Sequence, residues 1–405
     1  MRRTDATGDF LKRTVLLLLL PFCAAAQASK PAVTWNTRFV TGDQLFPSYI
    51  LATSAIPPRT SRPANYLGDP DGLIGVVILN PAGKTRVRVS VKIDRLDAAG
   101  AVEGILEAKD EKYYVFPKIV YRYDLLPKFH QLVPANVTVT LSIDGKPAGQ
   151  RTGTLRVHSI SDCLHGYRLP DGKIRNMPWM FAAYVNENHP AIEEILKEAL
   201  DSKVINRFVA YQKGPDEVLK QVFAIWDVFQ RRGFRYSTIS TTVTSGTKTA
   251  VISQTVRLVD DSLRSAQANC VDGSVLFASV LRRMGIDPFI VLLPHHAFLG
   301  FYLDADHKTT RFLETTRMGS VDLNELKDDS GAGVAVSEKT KDSASYKSFV
   351  SAVNYGQMEY NKIKEKLQDP GGDANYQVID IAKERKRGVI PITEDDSAPV
   401  ASKSR

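Results

Sequence analysis

Three short strings stand in order near the middle of the 405-residue chain: Asn269-Cys270-Val271-Asp272-Gly273-Ser274, His295-His296-Ala297-Phe298 and Phe312-Leu313-Glu314-Thr315-Thr316. They bring a thiol, an imidazole and a carboxylate within 45 residues. A cysteine nucleophile needs a base to take its proton and a third group to orient that base. Cys270, His296 and Glu314 are the candidates for these roles. Asn269 is a good helix N-cap, which predicts that Cys270 lies in the first turn of a helix with Asp272 at the third position. There the helix dipole and the unpaired backbone donors favour a thiolate. Asp272 opposes that effect in part. The Cys270 N–H is placed to stabilise an oxyanion at an attacked carbonyl, and Gln254 is a second candidate donor. Gly273 lacks a side chain where a strand would approach the helix.

Two histidines compete for the base. Pro294-His295-His296 follows an apolar run and opens the next strand, so alternation sends the two rings opposite ways and only one faces the thiol. His296 is the choice made here. Glu314 stands between apolar residues and threonines, where a carboxylate is costly unless paired. Taken alone it reads equally well as a salt-bridge or exposed edge position. The strongest rival to catalysis is a Cys163–Cys270 disulfide, which would remove the nucleophile.

The elements that must position these residues can be read from periodicity. Val271 to Met284 is apolar on a wide face, as a buried helix should be, and Gly285-Ile286-Asp287-Pro288 ends it. Phe289 to Leu293 is a continuous apolar run and hence a central strand. Ala297–Leu303 and Arg311–Thr316 follow as strands, which puts Glu314 mid-strand. Upstream, Pro190 opens a helix. Val218, Leu219, Val222, Phe223, Trp226 and Phe229 form one helical stripe that Gly233 stops. A further helix is predicted over about 346–367 and an edge strand over 376–381. From Val33 to Ile160 the chain reads as strands instead. Thr85 to Ile93 alternates with period two, and Asp71-Gly72, Ala98-Ala99-Gly100 and Asp144-Gly145 read as turns. The fold class expected is α+β: an N-terminal antiparallel β-sandwich, then a helix packed on an antiparallel sheet.

With those residues in place, the segment from Ala224 to Thr316 resembles the transglutaminase-like superfamily of papain-type cysteine enzymes. The likeness rests on Asn269-Cys270-Val271-Asp272-Gly273, His296-Ala297-Phe298 and the Gly285-Ile286 after the helix. It implies Cys270 as nucleophile, His296 as base and Glu314 as orienting acid, with amide chemistry through a thioester on protein or peptidoglycan peptides. Three departures stand out: Glu replaces the usual Asp, Phe replaces Trp after His-Ala, and only 26 residues separate Cys270 from His296. The β-rich first part is similar only to a generic Ig-like sandwich.

Composition bounds the rest. Arg2, Arg3, Lys12 and Arg13, the apolar run to Ala26 and Ala26-Gln27-Ala28 read as an export signal. The expected organisation is a signal peptide over 1–28, the sandwich over 29–162, the transglutaminase-like domain over 163–335, a C-terminal helix and edge strand over 336–392 and a disordered tail over 393–405. No apolar segment is long enough to predict a membrane span. A net charge of +8 is scattered along the chain. It argues for a solvated, exported surface rather than nucleic-acid binding. No Cys/His spacing suits a metal ion, and no cofactor is expected. The competing reading is a cell-envelope binding or scaffold module without catalysis.

Overall fold

The computed structural model describes residues 33–109, 111–169, 171–238, 242–243, 251–319, 334–369, 373 and 375–393. The expected signal peptide and the tail from 394 lie outside the described residues. The chain is a mixed α+β protein with several mainly antiparallel sheets.

Two sheets make up the first part. One orders Thr34–Phe39, Ile74–Leu79, Lys112–Phe116 and Tyr66–Gly68. The other orders Gln44–Leu45, Lys146–Val157, Val133–Ile143, Thr85–Ile93 and Ala98–Leu106. The alternation of Thr85–Ile93 translates directly into burial, since Val87, Val89, Val91 and Ile93 are in the core and Arg86, Arg88 and Lys92 face solvent. Two features depart from expectation. Ala98-Ala99-Gly100 is not a turn but the start of a nine-residue strand. Gly100 is needed there because a side chain would strike the Lys118 carbonyl at 2.3 Å, so the glycine marks a close crossing rather than a bend. A short helix, Pro47–Thr53, interrupts the run of strands.

The second part holds four longer helices, Pro190–Asp201, Pro215–Arg231, Cys270–Arg283 and Ala344–Leu367. Its main sheet orders Thr310–Leu313, His296–Tyr302, Pro288–Leu293 and Gln377–Asp380, all antiparallel. Gln377–Asp380 is thus an edge strand of the sheet that carries His296. A further short helix, Ile381–Arg387, follows it. The apolar stripe of Pro215–Arg231 is buried throughout, and Trp226, wholly inaccessible, donates from Nε1 to Ser348 Oγ of the 344–367 helix at 2.8 Å.

Helix 344–367 meets the sheet at a glycine. A side chain at Gly356 would lie 2.8 Å from the Leu313 nitrogen, so only glycine lets the helix lie against the strand end. The Glu314 N–H donates to the Ala352 carbonyl of this helix at 3.0 Å. That contact pins the residue following the strand. One continuous apolar core runs from Leu45 to Ile392 and includes both parts of the chain.

Candidate active site

The thiol is set by a helix start. Asn269 Oδ1 accepts from the backbone N–H groups of Val271 and Asp272, both at 2.8 Å, and Asp272 Oδ2 accepts from the Asn269 N–H at 3.1 Å. This is the reciprocal capping box that the sequence predicts, and it leaves Cys270 as the first helical residue, half-buried. The strand Gln267–Ala268 leads into the cap and pairs in parallel with Arg235–Tyr236, fixing the approach from below.

Asp272 is completely buried and does not act on the thiol as a bare charge. Its Oδ2 accepts from Arg257 Nη1 at 2.7 Å and its Oδ1 from the Arg257 N–H at 2.9 Å. Burial pushes its carboxyl upward from the ordinary value, and these donors oppose that rise. The acid therefore serves the cap and an ion pair, which offsets the repulsion expected beside a thiolate.

The imidazole is set by a two-residue hairpin. Leu293 pairs with His296 across Pro294-His295, and His295 takes φ +62°. Proline followed by a positive-φ residue is the pattern of a type II turn. His295 is consequently exposed in the turn itself, and His296 is the first residue of the returning strand. The choice between the two histidines is thereby a consequence of turn geometry.

Glu314 is 3 % exposed. It lies just past the strand Thr310–Leu313 rather than within it, and caps the short 3-10 turn Thr315–Arg317. Both carboxylate oxygens are used. Oε2 meets His296 Nε2 at 2.7 Å, while Oε1 accepts from the Thr316 N–H at 3.1 Å and from Thr316 Oγ1 at 2.7 Å. Gly273 has the role expected of it with a different neighbour: a side chain there would come 2.7 Å from Thr315 Oγ1, so what approaches the helix is this turn and not a strand.

The three groups meet on one ring. Glu314 occupies Nε2 of His296, and Cys270 is close enough to act on the same imidazole, which leaves Nδ1 as the ring nitrogen not taken by the acid. Burial alone would lower the imidazole pKa. The hydrogen bonds and negative charges of Cys270 and Glu314 outweigh it and raise the value to about 10. At neutral pH this ring is an imidazolium.

Beside it opens a cleft of ≈ 470 Å³ lined by Tyr236, His296, Glu314, Thr316, Arg317, Tyr355 and Glu359. Tyr236 was not singled out from sequence. Burial raises its phenol pKa, and the charges of Cys270 and Glu314 reach it and add to the rise. It lies on the strand Arg235–Tyr236, whose register beside Ala268 brings it next to the thiol. Arg317 lies over the Tyr355 ring at 3.7 Å from the centroid, forming the far wall.

The other expected residues fall elsewhere. Cys163 and Cys270 are both free thiols, so the disulfide reading is excluded. Gln254 lies on the strand Val251–Thr255 opposite Cys163. Among the described residues no group of three or more His, Cys, Asp or Glu side chains could hold a metal ion, and no helix is long and apolar enough to cross a membrane. No protein-family model and no curated protein matches the chain.

Proposed function

We propose that the chain is a cysteine acyl-transfer enzyme of the transglutaminase-like, papain-type kind, in which an Ig-like sandwich precedes the catalytic unit. The observation that carries this reading is the His296 ring held between a buried carboxylate and a thiol at a helix N-terminus. A protonated His296 stands beside Cys270 before substrate arrives, and Cys270 reacts as its thiolate. Cys270 Sγ attacks an amide carbonyl, forming the C–S bond, and the developing oxyanion is met by the Cys270 N–H with the Tyr236 phenol on the same wall. His296 gives its Nδ1 proton to the leaving amine as the C–N bond breaks. Water or a second amine then attacks the thioester, losing its proton to His296, and the thiolate departs. Glu314 keeps the ring oriented throughout.

The substrates that suit this reading are protein or peptidoglycan peptides met after export, and the reaction is hydrolysis or transfer. Intact-mass spectrometry after mixing the protein with a library of peptide amides tests it. A mass increase corresponding to loss of amine from the peptide, absent in Cys270→Ala, is the expected result. If neither that adduct nor fast alkylation of Cys270 by iodoacetamide is seen, the scaffold reading replaces this one.

A further inference from the structure

A second cleft, of ≈ 330 Å³, lies where helix Pro47–Thr53, strand Tyr66–Gly68 and the hairpin Asp162–Arg168/Ile174–Asn176 come together. It shares no lining residue with the cleft beside His296. Its walls include four tyrosines and three arginines among apolar residues. Tyr66 stacks against Tyr114 at 5.4 Å and against Phe116 at 5.5 Å between ring centroids. Tyr167 pairs across its hairpin with Arg175, whose guanidinium sits 5.9 Å from the ring centroid. The groups whose charges reach the Tyr49 hydroxyl are Tyr167, Arg175, Asp71 and Arg59, so side chains from four segments converge on one spot. Burial pushes the Tyr49 phenol up to about 12, which keeps it a neutral donor.

The charge here is unbalanced. Arg38, Arg59 and Arg175 face a single lining carboxylate, Asp71, and Arg59 Nε already donates to it at 2.6 Å. Arg38 and Arg175 take part in no ion pair among the described residues. Guanidinium groups match planar oxyanions, and tyrosines offer a flat apolar face together with a hydroxyl. The volume is at the small end of the range for small-molecule sites and suits one ring rather than a long chain.

We propose that this cleft binds a sugar ring bearing a carboxylate, with the ring against the tyrosines and the acid on Arg38 and Arg175. The proposal is independent of catalysis at Cys270. Saturation-transfer NMR with glucuronic acid, glucose as the neutral match and inorganic phosphate as the bare anion tests it. Glucuronate is expected to bind roughly tenfold or more tightly than either, and Arg175→Gln and Arg38→Gln are each expected to weaken it by roughly tenfold. Lys92→Gln, outside the cleft, removes the same charge and leaves binding unchanged. Circular dichroism of each variant establishes that it is folded. Absence of glucuronate binding overturns the proposal, as does equal binding of glucose or of phosphate, or equal weakening by Lys92→Gln.

Discussion

Among the described residues, two places bring a cysteine, a histidine and an acid close in sequence or space, and they have opposite fates. At the junction of the two parts, His158, Asp162 and Cys163 lie within six residues. His158 is sealed by its neighbours: Nδ1 meets Asp162 Oδ2 at 3.1 Å, Nε2 meets Gln44 Oε1 at 2.9 Å, and the ring stacks on Phe46 at 4.0 Å. Both ring nitrogens are spent, and Cys163 is wholly buried with its thiol pushed up, first by burial and then by the Asp162 charge. At the second place, Cys270, His296 and Glu314 come from a helix start, a strand start and a turn. Only one nitrogen of His296 is taken by the acid, and the ring opens on a cleft. Residue types alone do not separate the two. What separates them is a free ring nitrogen, a thiol at a helix N-terminus and solvent access.

The largest expected effect falls on the sealed cluster. Asp162→Ala leaves His158 and the Ser159 N–H short of an acceptor, and should cost about 3 kcal/mol in urea denaturation. Alkylation of Cys270 should be unchanged. A loss of labelling there would show that the two clusters are coupled. His296→Ala should slow iodoacetamide labelling of Cys270 about 10²-fold at neutral pH, because it removes the proton acceptor, while His158→Ala leaves that rate intact. Equal slowing by both variants would erase the contrast.

Glu314→Gln sharpens it further. The His296 pKa of about 10 lies above the ordinary 6.5. A raised folded-state value gives stability that is complete below the unfolded pKa and lost as pH climbs through the folded one. The stability gap between the native protein and Glu314→Gln should therefore be widest below pH 6.5 and close toward pH 10. NMR titration of the His296 Cε1–H should show its midpoint falling in the variant. A gap that widens with pH would contradict the assignment. Gly356→Ala, crowding the Leu313 nitrogen, should cost about 1–3 kcal/mol as overpacking and reduce labelling by displacing Glu314. The smallest effect belongs to Cys163→Ala: a modest loss of stability and no change in labelling. Cys163 itself should react only after unfolding.

Much of the second part of the chain is legible in sequence because its elements are strongly patterned. The stripe through Trp226, the cap at Asn269 and the apolar run of Phe289–Leu293 are local signals; the stripe lies within the helix Pro215–Arg231, and the other two elements formed within a residue of their predicted ends. The misreadings have a common cause. Ala98-Ala99-Gly100 has turn composition, yet forms strand because another segment crosses it closely. Glu314 sits one residue outside its strand because its backbone is bound by Ala352, thirty-eight positions later. Tyr236 carries no mark of its own; only strand register brings it beside the thiol. Contacts remote along the chain leave no periodicity to read.

By itself, then, the sequence determined which residues could do chemistry and which local elements would present them. Capping, periodicity and proline–glycine punctuation act over a few residues, and they placed the Cys270 thiol at a helix start and the His296 ring at a strand start. Tertiary structure decided the rest. It neutralised Asp272 with Arg257, sealed His158 while leaving one nitrogen of His296 open, and kept Cys163 apart from Cys270. Those outcomes depend on desolvation and on partners distant in sequence, and neither is encoded in local pattern.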